Sequence, residues 1–145
     1  MKNASIEQGL VSGAQQNSVY QFLGMPYAAP PVGELRWQPP APPAAWEVRE
    51  ATKSGNAAIQ RRDVGYDPGA KQSEDCLYLN VWSTTLDLDA SQPVMLWIHG
   101  GGFIHGASSL KEWNGKDLAR RGVIVVLCNL PTGIIRVPSS PTCWF

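Results

Sequence analysis

Hydrophobic and polar positions follow different rules in different stretches of this chain. Up to Tyr20, short apolar and polar residues alternate around Gly9 and Gly13. That pattern predicts a small β-meander or hairpin, with a further strand over residues 19–23. Between Pro30 and Pro43, the pairs Pro30-Pro31, Pro39-Pro40 and Pro42-Pro43 forbid a helix and cannot sit in a central strand. Val32, Leu35, Trp37 and Trp46 are interleaved with these prolines and call for burial, so the segment reads as one that wraps onto a domain surface rather than a free polyproline ligand. Residues 52–72 turn polar, with Gly55, Gly65, Pro68 and Gly69, and predict a long surface loop. A strand follows over residues 77–82, then a polar turn through Asp87, Asp89 and Ser91.

Residues 94–98 and 123–127 are continuous apolar runs, the pattern of strands covered on both faces. Between them Asn114 can cap, Asp117 stands three residues on and Gly122 can terminate, which predicts a short helix near residues 115–121. Strand, glycine loop, helix and strand in that order make a βαβ unit, with parallel strands and a right-handed crossover.

Composition narrows the function classes. The 145 residues suffice for one domain, and 43% of them are hydrophobic. Twelve Lys and Arg balance twelve Asp and Glu, so nothing points to nucleic acid or an anionic lipid surface. No apolar run follows Lys2 at the length of about 7–15 residues that a secretory signal needs, and none approaches the roughly 20 of a membrane span. Cys76, Cys128 and Cys143 are widely spaced and form no Cys-x-x-Cys pair, which argues against a zinc or thioredoxin-like site. They read as small buried hydrophobes in a reducing compartment. The expectation is a cytoplasmic protein without metal, cofactor, nucleic-acid or membrane partner.

The sharpest chemical feature is His99-Gly100-Gly101-Gly102-Phe103, directly after an apolar strand. Three glycines in a row are costly in chain entropy and make sense where the backbone itself must approach something closely. Peptide N–H groups freed at a strand end can converge on the oxyanion of an acyl-transfer intermediate, each donor being worth about 2.7–4 kcal/mol in the transition state. A phosphate-binding loop would need Gly-Lys followed by Ser or Thr, and a dinucleotide fingerprint would need glycine where His105 stands. The His-Gly-Gly-Gly type is an oxyanion-hole element of lipases and esterases.

Around this loop the chain resembles the type-B carboxylesterase family, which includes cholinesterases and para-nitrobenzyl esterases. The motifs run in order from about Gly9 to Asn129: Phe22-Leu23-Gly24-Met25-Pro26-Tyr27-Ala28, Pro30-Pro31-Val32-Gly33-Glu34-Leu35-Arg36-Trp37, Pro39-Pro40, Ser73-Glu74-Asp75-Cys76-Leu77-Tyr78-Leu79-Asn80-Val81, and residues 94–103. The resemblance implies an α/β fold: the N-terminal portion of an α/β-hydrolase, with a small β-meander and the first strands of a mostly parallel central sheet. It implies a serine esterase acting on a small carboxylic ester through an acyl-enzyme. In it, Gly101 and Gly102 match the residues whose N–H groups form most of the oxyanion hole. Gly100 matches the glycine that lets the loop turn, and Arg36 and Glu74 match a structural ion pair. Glu74 and Asp75 as an acid/base pair is the weaker reading, since adjacent residues on an extended chain point opposite ways.

The departures are as informative. Secreted members often pair the cysteine matching Cys76 with one near Ala58, and this sequence reads Ala57-Ala58-Ile59-Gln60 there. The family's Ser, Glu or Asp, and His are expected downstream, the Ser in a Gly-x-Ser-x-Gly elbow. No such elbow occurs in the chain; Gly106-Ala107-Ser108-Ser109-Leu110 comes nearest and fails at its last position. No catalytic triad member is therefore assigned, and the isolated chain is expected to be inactive. Non-catalytic binding relatives and a non-functional truncated product stand as alternatives. Residues 1–129 form the hydrolase-like part and residues 130–145 a divergent tail. Codons that encode Leu130-Pro131-Thr132-Gly133 onward, read one base later, admit Tyr-Arg-Leu-Gly-Leu-Phe-Gly-Phe-Leu, the family's own continuation. The tail is thus expected to be out-of-frame, irregular and unpacked.

Overall fold

The structure, a computed structural model, describes residues 1–61, 67–87, 89–110 and 112–132. The tail from Gly133 on, with Cys143, lies outside these, and so does the expectation for residues 133–145; of the first three tail residues, 130–132, which carry no regular element, Thr132 is buried and not unpacked as expected. Among the described residues there are seven strands, a 3-10 turn (Gly33–Leu35) and one short α-helix: β1 (Lys2–Ile6), β2 (Gly9–Gln16), β3 (Val19–Pro26), β4 (Val48–Glu50), β5 (Tyr78–Ser83), β6 (Val94–Ile98), α1 (Lys116–Ala119) and β7 (Ile124–Cys128). The strands form one sheet in the order β1-β2-β3-β5-β7-β6, with β4 added alongside β2.

The expected meander is present as the antiparallel ladder β1-β2-β3. β6 and β7 are parallel neighbours, with Val94 opposite Ile124 and Ile98 opposite Cys128. β5 runs antiparallel to both β3 and β7, so this part of the sheet is mixed. The helix is shorter than the predicted stretch. Lys116 N–H donates to Asn114 Oδ1 at 3.1 Å at its start. At its end the bonds tighten to three-residue spacing and Gly122 takes a φ of +86°. Asp117 pairs with Arg120 instead of completing a capping box. Among the described residues, no helix is long and apolar enough to cross a membrane.

Each face of the sheet carries a core. Val19, Trp82, Ala119, Val125 and Leu127 pack under α1, joined by Trp97 and Trp113. Val11, Phe22 and Ala51 form the opposite cluster, with Trp46 and Val81. Alternation along β5 explains the division, because Val81 and Trp82 point to opposite faces.

Three expectations need correction. β6 is not covered on both faces: Val94 is 64% exposed and Leu96 59%. It lies at the sheet edge, and among the described residues only Trp97, against Trp113 at 3.8 Å between ring centres, is packed. β6 is thus one end of the sheet, with β1 at the other, while β7 alternates buried and half-buried residues between β5 and β6. In the proline-rich segment, Val32, Leu35 and Trp37 remain exposed, because no described element comes over them. Trp46 alone among the four anchors the segment, donating from its indole to Leu10 O at 3.0 Å. The loop over residues 52–72 is not purely a surface loop either. Ala57 and Ala58 are small enough to lie fully buried, the latter beside Cys76 and Leu77, and Ala57 bridges to Gln72.

A buried polar network crosses the sheet behind the β6–α1 connection. β3 bulges between Phe22 and Met25, and the Gly24 N–H left unpaired there donates to Asn80 Oδ1 at 2.9 Å. Asn80 Nδ2 donates to both O and Oγ of Ser108 at 3.1 Å. Ser108 N–H and Oγ donate to Asn129 Oδ1 at 2.7 and 2.9 Å. Asn129 Nδ2 donates onward to Asn56 O at 2.8 Å and Cys76 O at 3.2 Å. Buried polar groups left unmade cost about 1–3 kcal/mol each. Asn129→Ala is therefore expected to lower unfolding stability by about 3 kcal/mol or more, and Leu96→Lys on the exposed strand to change it by under about 0.5 kcal/mol. Denaturant midpoints measure both, and equal effects would contradict the network's role.

Candidate active-site loop

The backbone leaves β6 at Ile98 and reverses at once. Gly101 has a φ of +130°, Gly102 +59° and Phe103 +61°. Ile104 N–H closes the turn on Gly101 O at 3.0 Å, with His105 N–H on the same oxygen at 3.3 Å. Positive φ at both central residues is the sign pattern of a type I′ turn. Phe103 adopts it at a cost of about 1–2 kcal/mol, since its Cβ crowds the following carbonyl.

Glycine is demanded unequally in the triplet. A Cβ on Gly101 would fall 1.8 Å from His105 O. Gly102 faces open space but needs its left-handed backbone, while Gly100 has no positive φ and a Cβ there would meet no atom within 4 Å. The turning role that the resemblance gives Gly100 thus falls on Gly101 and Gly102. Among the described residues, the N–H groups of Gly101 and Gly102 have no protein acceptor. The arrangement presents two strand-end donors on a turn that cannot relax into a strand.

The wall behind the turn is made by His99 and Gln60. His99 is buried, and its Nδ1 lies 2.9 Å from Gly100 O. A carbonyl only accepts, so this contact assigns the proton to Nδ1. Burial lowers the imidazole pKa first, neighbouring His105 lowers it further, and the bond to Gly100 opposes both. Gln60, also buried, accepts from Gly106 N–H at 2.8 Å and donates to Gly106 O and Ala58 O, each at 3.0 Å.

Ser108 follows directly. Its Oγ is held inside the network between Asn80 and Asn129, so this serine is a structural one. Gln60, Asn80, Ser108 and Asn129 were not singled out from the sequence as site residues. The available signal was a lone amide in each otherwise apolar stretch, Ala57-Ala58-Ile59-Gln60 and Leu79-Asn80-Val81.

Arg36 and Glu74 do meet. Arg36 Nη2 lies 2.6 Å from both Glu74 Oε1 and Oε2, so one guanidinium nitrogen bridges the carboxylate. With the side chains 45% and 30% exposed, the pair contributes under about 1 kcal/mol. Asp75 goes elsewhere, accepting from the Tyr78 hydroxyl at 2.7 Å, so the two carboxylates do not work as a pair. Burial pushes the Cys76 thiol up to about 12, helped by Asp75 and Glu74, which leaves it an unreactive neutral group at ordinary pH. Among the described residues, no three His, Cys, Asp or Glu side chains gather where they could hold a metal ion.

The sequence model of the carboxylesterase family matches residues 2–135. The chain belongs to the carboxylesterase family. The match is wider than the stretch from Gly9 to Asn129 that carries the motifs. Fumonisin B1 esterase of Sphingopyxis macrogoltabida is 43% identical over 138 residues, covering 93% of this chain and 25% of that enzyme. Para-nitrobenzyl esterase of Bacillus subtilis (strain 168) is also 43% identical, covering 88% of this chain and 27% of its own length. Among solved structures, a Geobacillus stearothermophilus carboxylesterase superposes with a TM-score of 0.83 at 38% identity, over 92% of this chain and 27% of that one. The sheet is accordingly the N-terminal part of the α/β-hydrolase fold of these carboxylesterases. The chain spans about a quarter of the length of the curated relatives it matches.

Two outcomes follow for this carboxylesterase loop. Gly101→Ala is expected to destabilise the chain by more than about 1 kcal/mol, because Ala resists the positive φ and meets His105 O, while Gly100→Ala stays within about 0.5 kcal/mol. Thermal or denaturant unfolding distinguishes them. His99 supplies a pH dependence of stability. Above the ordinary imidazole value of about 6.5 neither state binds its proton and the contribution is whole. As pH falls from there to the lowered folded value, the unfolded chain takes up a proton that the folded chain refuses, and stability declines. His99→Gln should flatten that limb of a midpoint-against-pH curve; an unchanged limb would assign the dependence elsewhere.

Proposed function

We propose that this chain is the oxyanion-hole portion of a serine carboxylic ester hydrolase. The observation that carries the reading is the Gly101-Gly102 turn, with two N–H groups free of protein acceptors among the described residues, at the carboxyl end of a strand. In that chemistry a serine hydroxyl attacks the ester carbonyl. The carbonyl π electrons move onto oxygen, and Gly101 and Gly102 N–H donate to the resulting oxyanion. Collapse expels the alcohol and leaves an acyl-enzyme, which water then hydrolyses by the same route. Relatives that match the chain bear the names fumonisin B1 esterase and para-nitrobenzyl esterase, which supports a small carboxylic ester as substrate class.

The attacking serine, the acid and the histidine are not supplied by these residues. Ser108 is engaged in the buried network, and no Gly-x-Ser-x-Gly occurs. Donors without a nucleophile have nothing to stabilise, because unactivated water attacks an ester slowly at neutral pH. A reducing, cytoplasmic setting is part of the proposal. What supports it is that Cys76 packs in one cluster with Ala58, close to where secreted members of the family carry a bridging cysteine.

The 145-residue chain is expected to release no para-nitrophenol from simple para-nitrophenyl esters above background. A gene restored to the frame that reads Tyr-Arg-Leu-Gly after Asn129 is expected to encode an organophosphate-sensitive esterase. In that protein Gly101→Pro, which removes one of the two N–H donors, should lower kcat by roughly 10²–10³. Ester turnover by the 145-residue chain that resists organophosphate would overturn the proposal.

A further inference from the structure

Gln60 stands outside the glycine triplet, yet both ends of its amide are committed to the loop. Its Oε1 accepts from Gly106 N–H and its Nε2 donates to Gly106 O. Two bonds to one residue fix the position of that backbone and also its orientation, as a strand pairing would. The grip has a firm base. Nε2 also donates to Ala58 O, and Gln60 N–H donates to Gln72 Oε1 at 3.1 Å. Ala57 N–H donates to Lys71 O, and Ser73 N–H to Ala57 O, both at 2.9 Å.

From Gly106 the constraint passes on by contact. A Cβ on Gly106 would fall 2.0 Å from His99 Nδ1 and 2.7 Å from Gly100 O, so the bare backbone lies flat against the imidazole edge. The ring keeps its Nδ1 at 2.9 Å from Gly100 O. That carbonyl and the Gly101 N–H belong to one planar trans peptide and point opposite ways. Holding the Gly100 oxygen against the ring therefore aims the Gly101 N–H away from it, toward the open side of the turn.

We propose that Gln60 is the positioning residue of the glycine loop: it aims the Gly101 N–H by clamping Gly106 against the His99 imidazole. The catalytic meaning of that aim rests on the ester-hydrolase reading; the clamp itself does not.

The test uses the 145-residue chain labelled with ¹⁵N and observed by NMR, with no ester present. In the unaltered chain His99 should show the Nδ1–H tautomer alone. In Gln60→Ala it should become a tautomer mixture with a titration midpoint moved up toward the ordinary imidazole value. The Gly106 amide should exchange about tenfold faster or more, as expected for a buried bond lost. Ser108, which Gln60 does not touch, should keep its amide exchange rate. Should Gln60→Ala fail to fold, Gln60→Met, of similar length and without a polar atom, carries the same expectation. Gly106→Ala, which leaves Gln60 intact, should give the same change at His99, and the double variant should add nothing further. A Gln60 variant that lowers stability while the His99 tautomer and titration stay as they were would overturn the proposal. Because no turnover is measured, failure of the clamp and failure of the esterase reading are separate results.

Discussion

Two buried asparagines and one serine hold this architecture together. Asn80 on β5 and Asn129 just past β7 reach from either side to Ser108, which follows the glycine loop. Each amide satisfies backbone groups that no strand or helix could pair: the Gly24 N–H at the β3 bulge on one side, and the carbonyls of Asn56 and Cys76 on the other. The Tyr27 hydroxyl adds a bond to Asn129 O at 2.8 Å. Irregular chain from four places is thereby brought to one buried point. In a low-dielectric interior such a network is stiff when complete, and each missing member exposes its partner to the full desolvation cost.

That stiffness gives the glycine turn its shape. The turn itself has weak reasons to persist: Phe103 is left-handed and largely exposed, and the Gly101 and Gly102 donors have no protein acceptor among the described residues. Strained backbone of this kind survives where its surroundings over-determine it. Here β6 fixes where the turn begins, the Gln60 grip on Gly106 fixes where it ends, and the network fixes what comes next. The result is a pair of donors held in place; on the proposed ester-hydrolase reading that preorganisation makes electrostatic stabilisation effective, since nothing must reorganise when charge develops.

Much of this was legible in the residues. The parallel pairing of β6 and β7 followed from two apolar runs flanking a capped helix signal, and the meander from alternation around Gly9 and Gly13. The glycine triplet stood out as a candidate site because periodicity cannot explain it. Burial was less legible, for a physical reason: an apolar run reports what a strand is suited to lie against, and Val94 and Leu96 have no such neighbour among the described residues. Trp37 deceived in the same way, while Trp46 was held because its indole found Leu10 O. The supporting amides were least visible. Gln60, Asn80 and Asn129 look like any polar residue in sequence, and their meaning lies in which distant backbone groups they meet, over separations such as the 46 residues from Gln60 to Gly106. β6 lies at an end of the sheet although β7 follows it in the chain, because strand order in a sheet does not follow order in the chain.

Native-state amide exchange tests the network's central place most directly. Ser108 lies in irregular chain and Gly24 at the β3 bulge, outside the ladder pairing, yet their N–H groups donate into the buried asparagines. If the network is the framework described, both amides should exchange only through global unfolding, as slowly as Val126 and Leu127 in β7, a strand paired on both sides. Exchange of Ser108 and Gly24 at rates typical of the exposed turn around Ile104, with β7 still protected, would show that the asparagines decorate the fold and do not hold it.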